Sequence, residues 1–211
     1  MDIVYQDERI VVAIKPAGVI STDVRNGMPE LLRRQLHTDC IRTVHRLDAP
    51  VSGLMVLARS SRAAAEISAQ IRDGAFSKAY LAVLRGVPQE MSGELIDLLG
   101  RDRERRMTYV ADAPGKGVQE ARLRYEVLAA RDGLSLVRVE LLTGRTHQIR
   151  VQFASRGLPL AGDRRYGSPG DLLSPIALWS AHLSFRHPET GAEMTFDRQP
   201  PAIPPWDVFG I

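Results

Sequence analysis

Residues 43–60 read TVHRLDAPVSGLMVLARS. Two apolar stretches, Ile41–Val44 and Leu54–Ala58, flank a short polar segment and read as strands on either side of a turn. Ala49 precedes Pro50, which pushes Ala49 out of the helical region, and Ser52 and Gly53 supply further turn chemistry. A single acid, Asp48, therefore stands at the rim of a sheet, directly behind His45 and Arg46. Turn aspartates commonly bond their own backbone amides. The alternative is a carboxylate held rigidly for chemistry.

Working outward, strand patterns dominate. Ile10–Ile14 is a β-branched run ending at the turn signal KPAG. Pro29 to Leu36 predicts a helix with proline near its first turn. Ser61 is expected to cap a helix over RAAAEISAQIRD, ended by Gly74. Phe76–Leu84 and Met107–Val110 predict strands, with RDRERR (101–106) a charged loop. Arg122–Leu128 and Leu134–Leu142 alternate around the turn residues RDG. TGRTHQIRVQFASRG (143–157) predicts a capped helix ending at Gly157. Strands near Ala177–Arg186 and Glu193–Asp197 follow, and the proline-rich tail QPPAIPPW continues neither helix nor central strand. The fold class is α+β: a largely antiparallel, mixed β-sheet with flanking helices.

The 211-residue length fits one large domain or two small ones sharing a core. The single cysteine, Cys40, excludes an intramolecular disulfide, and no Cys/His cluster has zinc-ligand spacing. No basic stretch followed by an apolar segment marks a signal peptide, and the apolar runs are too short to span a bilayer. The expectation is a cytoplasmic protein without a membrane partner. The net charge of +3 suits a polyanionic partner.

Thr143, Arg145, His147 and Arg150 crowd the predicted start of a helix. Helix N-termini disfavour cations, so the two arginines either point into water or converge on an anion, a carboxylate or a phosphate.

These two stretches also carry a resemblance. HRLDAPVSGL (45–54) resembles the HRLD-x-x-TSGL signature of the RluA-type pseudouridine synthases. TGRTHQIRVQFASRGLPLAGDRRYG (143–167) resembles the family's second signature. VYQDERIVVAIKPAGV near the start, KAYLAVLRG at 78–86 and HLSFRHPETGAEMTF near the end agree in order, so the likeness runs from about Ile3 to Phe196. Val51 stands where the family usually has threonine. Leu178, Trp179 and Ser180 replace a more usual leucine-histidine-alanine pattern, with packing or the pocket rim as the place of any effect.

The resemblance implies a single catalytic domain over residues 1–211, with a catalytic cleft across the sheet and no S4-like RNA-binding domain in front. It implies isomerisation of uridine to pseudouridine in structured RNA, large-subunit ribosomal RNA or transfer RNA or both, rather than DNA. The N1–C1′ bond breaks, the uracil turns, and C5 joins the sugar. That chemistry needs no cofactor and no metal. It needs a carboxylate against the sugar or base, and Asp48 is that group.

Arg150 matches the family arginine that pairs with the aspartate, lowering its pKa and fixing its orientation. Arg145 is the second candidate for that pairing, or a phosphate clamp. Tyr80 matches the tyrosine expected against the uracil ring; read on its own, it is a sheet residue alternating with Phe76 and Leu84. Arg46 is expected to fill the space of an extruded base or hold the flipped backbone, with a structural ion pair as its plainer role. His45 is expected to brace the turn and His147 to orient the arginine-bearing helix, both at the substrate-binding site. Lys15 reads as structural or RNA-facing. LLRRQLH, RDRERR and GDRRYG are further places for RNA phosphates, although charge runs are commonly just solvated faces.

A catalytically silent RNA-binding protein on the same fold is one rival, and a hydrolase using Asp48 with His45 or His147 is another. The latter lacks a nucleophile elbow. A monomer is expected.

Overall fold

The computed structural model describes residues 1–167, 171 and 175–211. Two compact units emerge: Met1–Lys78 with Trp179–Gln199, and Ala79–Leu178 with Pro200–Ile211.

In the first unit, β1 (Asp2–Gln6), β2 (Ile10–Lys15), β4 (Ser52–Ala58) and β10 (Leu178–Arg186) lie side by side in that order. The two-residue β3 (Arg42–Thr43) pairs with β4, and β11 (Glu193–Asp197) pairs with β10. All these pairings are antiparallel except the short parallel contact of β4 with β10. The alternation within β2 and β4 explains their continuous apolar reading, because both faces are covered. Ile10, Val12, Leu54 and Val56 face one cluster with Ile67, from helix α2 (Ser61–Arg72). Val11, Ala13, Met55 and Leu57 face the other, with Met28 and Leu32 from helix α1 (Met28–Leu36).

The N-cap of α2 is Ser60, not the expected Ser61: its side chain accepts the Ala63 N–H at 3.1 Å. Gly53 adopts φ +116°, and a Cβ there would meet the Ser180 backbone at 2.4–2.9 Å, so only glycine lets β10 lie this close.

The second unit is an antiparallel sheet in the order β5 (Ser77–Arg85), β9 (Leu134–Leu141), β8 (Gln119–Arg131), β6 (Ser92–Asp102) and β7 (Met107–Ala111). Helix α3 (Gln148–Ala154) places Val151 against Leu99 and Ala121. Its buried Gln152 donates to Asp97 Oδ2 at 2.7 Å. The α+β class is as expected.

Two strands were not predicted. Strand β1 is a partly exposed outer strand with a register shift between Ile3 and Tyr5. Strand β6 runs through the first part of RDRERR: Arg101 and Asp102 end it, and only 103–106 form the turn into β7. Helix α3 is also shorter than predicted. Thr143 to His147 form a turn ahead of it, and His147 sits in the left-handed region at φ 55°, ψ 20°.

Candidate active site

In the first unit the Asp48 turn is fastened to the 15–22 segment. The Asp48 carbonyl accepts the Val51 N–H at 3.0 Å, and the Ala49 carbonyl accepts the Gly18 N–H at 2.7 Å. The Ser21 hydroxyl donates to the Leu47 carbonyl at 2.6 Å and accepts the Leu47 N–H at 3.0 Å. Both backbone groups of the residue before Asp48 are thus held by one buried side chain.

Lys15 sits beneath, with no accessible surface. Its ammonium donates to the carbonyls of Pro16 (2.9 Å), Val19 (2.6 Å) and Ala49 (3.0 Å), one N–H for each. Burial pushes its pKa down to about 8, while the Asp48 carboxylate pushes it up. Of the two readings given to Lys15, the structural one fits. Asp48 itself is half-buried, so the turn presents its carboxylate at a partly solvated rim.

His45 is buried, tilted against the Phe76 ring at 5.3 Å, and its Nε2 accepts the Val56 N–H at 3.1 Å. Nδ1 therefore carries the ring proton. Burial, helped by the Lys78 charge, pushes its pKa down to about 3. A neutral ring bonded to β4 braces the turn. Arg46 is exposed at the surface next to it.

Val51 is buried, filling core volume where a hydroxyl was expected. Trp179 anchors its indole N–H on the Arg198 carbonyl at 2.8 Å. Ser180 is fully buried, and its hydroxyl has no hydrogen-bond partner among the described residues. Both departures near 180 thus lie in packing of the first unit.

In the second unit, Arg150 is buried and forks onto a residue the sequence did not single out. Its Nε and Nη2 each donate to Asp163, at 2.8 Å and 2.8 Å. Burial works to raise the Asp163 pKa, but these bonds, the Arg150 charge and the N–H groups of Arg165 and Tyr166 hold it below the ordinary value. The guanidinium lies over the Tyr166 ring at 5.1 Å.

The Tyr166 hydroxyl accepts the Thr108 N–H at 2.8 Å and lies 2.7 Å from His147 Nδ1. Its own proton is then available to the His147 ring. His147, Arg150, Asp163 and Tyr166 are thus one connected group. Arg145 stands apart from it, half-exposed, with Nε donating to the Glu120 carbonyl at 2.9 Å. The N-cap position of α3 is His147, with no side-chain capping bond, and the Gln148 side chain ties the preceding turn together. Its Oε1 accepts the Arg145 N–H and the Thr143 hydroxyl, and its Nε2 donates to the Arg122 carbonyl.

Tyr80 lies in β5 opposite Val139 and is 5% exposed. Its neighbours Ala79 and Leu81 are buried too, so β5 is covered on both faces.

The sequence model described as RNA pseudouridylate synthase matches residues 9–155. This chain belongs to that family. Its members are isomerases that convert uridine to pseudouridine within RNA, the class that the two signatures implied. An uncharacterized RNA pseudouridine synthase of Bacillus subtilis, YhcT, is 35% identical over 90% of this chain and 65% of its own length. The ribosomal large subunit pseudouridine synthase D of Zymomonas mobilis is 32% identical over 95% of this chain and 69% of its own length. The chain thus spans roughly two thirds of each. Among solved structures, human RNA pseudouridylate synthase domain containing 1 superposes with a TM-score of 0.83 at 27% identity, covering 98% of this chain and 86% of its own. No helix among the described residues is long and apolar enough to cross a membrane. Among the same residues no cluster of three or more His, Cys, Asp or Glu is placed to hold a metal ion.

Proposed function

We propose that this protein isomerises particular uridines to pseudouridine in structured RNA, with Asp48 as the essential carboxylate. The observation that carries this reading is the construction of the Asp48 turn. Lys15 and Ser21 together fix the backbone on both sides of one half-buried carboxylate, inside the stretch that matches the family signature. A side chain held this way meets a reacting atom without reorganising first.

Arg150 is the guanidinium that acts with Asp48. Tyr80 supplies the ring against the uracil, and Arg46 holds the backbone of an extruded nucleotide, since a stacked uridine is out of reach. Arg145 clamps a phosphate, while His45 and His147 position the groups beside them. Both units act as one catalytic domain, a reading supported by a structural match spanning 98% of the chain. The substrate is large-subunit ribosomal RNA, as the name of the Zymomonas relative suggests, with transfer RNA as the second candidate. The protein works as a monomer in the cytoplasm, without a cofactor.

The test is a transcriptome-wide pseudouridine map of host cells lacking the protein, complemented with wild type or Asp48→Asn. Loss of modification at one or a few uridines, restored by wild type alone, fixes activity, substrate and carboxylate together. Restoration by Asp48→Asn removes Asp48 from the mechanism. Bound RNA with an unchanged map leaves the silent RNA-binding reading, and release of free uracil identifies a hydrolase.

A further inference from the structure

The second unit joins two arginine-rich segments into one surface. Arg165 Nη1 donates to the Arg106 carbonyl, tying the turn at 163–166 to the tip of the β6–β7 hairpin. Thr108, at the base of that tip, gives its N–H to Tyr166 at 2.8 Å and its hydroxyl proton to the Thr146 carbonyl at 3.0 Å. Three separate bonds therefore hold the hairpin against the segments that carry Arg164, Arg165 and His147.

Residues 101–106 and 164–165 hold six arginines against two acids. That surplus of four positive charges exceeds the net +3 of the whole chain. All six arginines are exposed. Several arginines elsewhere are paired with acids: Arg9 with Glu189, Arg33 with Asp23, Arg85 with Asp171, Arg122 and Arg124 with Glu94, and Arg156 with Asp97. In the patch, among the described residues, only Arg105 is ion-paired, with Asp102 at 3.7 Å, and that carboxylate also accepts the Arg105 N–H. Among the described residues no carboxylate forms an ion pair with Arg101, Arg103, Arg106, Arg164 or Arg165. Asp163, the one acid of the 163–166 turn, is buried and paired with Arg150.

We propose that the β6–β7 hairpin tip and the 163–166 turn form a single phosphate-binding surface that holds the sugar–phosphate backbone of folded RNA. The inference rests on the RNA-modifying reading above and adds a docking surface to it. Guanidinium forks suit phosphate oxygens, and the two segments contain arginine and no lysine. Such contacts carry no sequence information; they set affinity and orientation. The hairpin also leads through Tyr166 to Arg150, so RNA held at the tip lies on the element that supports the catalytic arginine.

The experiment uses the full chain and a fluorescein-labelled RNA hairpin with a uridine-rich loop, titrated by anisotropy from 50 to 200 mM KCl. The test protein carries Arg103→Gln, Arg105→Gln and Arg164→Gln. A control carries Arg62→Gln, Arg72→Gln and Arg186→Gln, exposed positions in the first unit. Each lost phosphate contact reduces the slope of log K against log[salt] by about 0.7–0.9, so three reduce it by about 2–3. The affinity gap between wild type and the patch variant then changes by roughly 30-fold across that salt range.

The expected result is a shallower slope for the patch variant, a near wild-type slope for the control, and recovery by arginine-to-lysine replacement at the same three positions. An unchanged slope for the patch variant overturns the proposal, as does an equal loss in the control, which indicates diffuse charge. Wild-type protein that makes no pseudouridine in cells is a failure of the family reading instead, and the modification map reports that separately.

Discussion

Removing one oxygen from Asp163 tests how Arg150 is held. The pair is almost sealed from water, with side-chain exposures of 5% for Arg150 and 0% for Asp163. In Asp163→Asn the remaining oxygen is claimed by the N–H groups of Arg165 and Tyr166, which approach Oδ1 at 2.9 and 3.2 Å. The new amide then turns its N–H toward Arg150 Nε, donor against donor, and the guanidinium loses the carboxylate's compensating charge. Breaking a buried pair from one side costs about 3–5 kcal/mol. With a urea m-value of about 2 kcal/mol/M, the unfolding midpoint falls by roughly 1.5–2.5 M. Trp206 is buried in the same unit and reports on it, so the measurement belongs in a Trp179→Phe background. Arg150→Met added to Asp163→Asn removes the donor-against-donor contact and recovers part of the loss, giving a positive coupling in the double-mutant cycle. A midpoint shift below about 0.5 M, equivalent to about 1 kcal/mol, would falsify the sealed pair and its role in fixing Arg150.

Four further outcomes follow from the same geometry. His45 has a folded pKa near 3, against about 6.5 unfolded, so its contribution is complete above pH 6.5 and is lost as pH falls toward 3. Wild type should lose up to about 1.4 kcal/mol per pH unit more than His45→Gln between pH 6 and 4 in urea titrations; parallel pH curves contradict a buried neutral ring. Lys15, near pKa 8, is held up by the Asp48 carboxylate, so Asp48→Asn should lower the Lys15 titration seen by NMR, and an upward move refutes that coupling. Ser21→Ala strands both backbone groups of Leu47, at about 1–3 kcal/mol for each, and should slow single-turnover conversion while RNA affinity holds. If RNA affinity falls instead and the rate holds, Ser21 does not position Asp48. Tyr80→Phe keeps the ring and removes the hydroxyl, so a rate loss of more than tenfold identifies proton transfer, and an unchanged rate leaves only the ring contact.

The strands with both faces covered, β2 and β4, were legible because burial on two sides leaves a continuous apolar record in the sequence. Strand β6 was not. Its burial alternates irregularly, and its end carries Arg101 and Asp102, which read as loop residues. What makes it a strand is long-range pairing with β8 and β7, a tertiary effect that local propensity does not encode. Helix α3 was placed correctly but began too early. Thr143 is a plausible cap by type, yet its hydroxyl is used by Gln148 and by the Arg122 N–H.

The candidate site divides along the same line. Asp48 stood out because a lone acid in a turn between two apolar runs is a local pattern. Asp163 did not, since an acid followed by two arginines reads as a charged surface turn. Its burial depends on the helix that carries Arg150 and on the strand that carries Thr108, and neither is visible from residues 162–167. One sequence feature did point there. Arg150 falls three residues after His147, on the covered side of a short helix, and a buried guanidinium requires a buried acceptor. From the sequence alone Asp48 is the acceptor expected for that guanidinium, and nothing local marks Asp163 as a second one. Asp163 already takes two of its N–H groups, so Arg150 enters any reaction with its orientation set by the protein. A rigid arginine lowers the reorganisation that charge development in the transition state demands. On this account the support for Arg150 matters as much as its charge, and Arg150→Lys, which keeps the charge but loses the fork onto Asp163, should retain little activity.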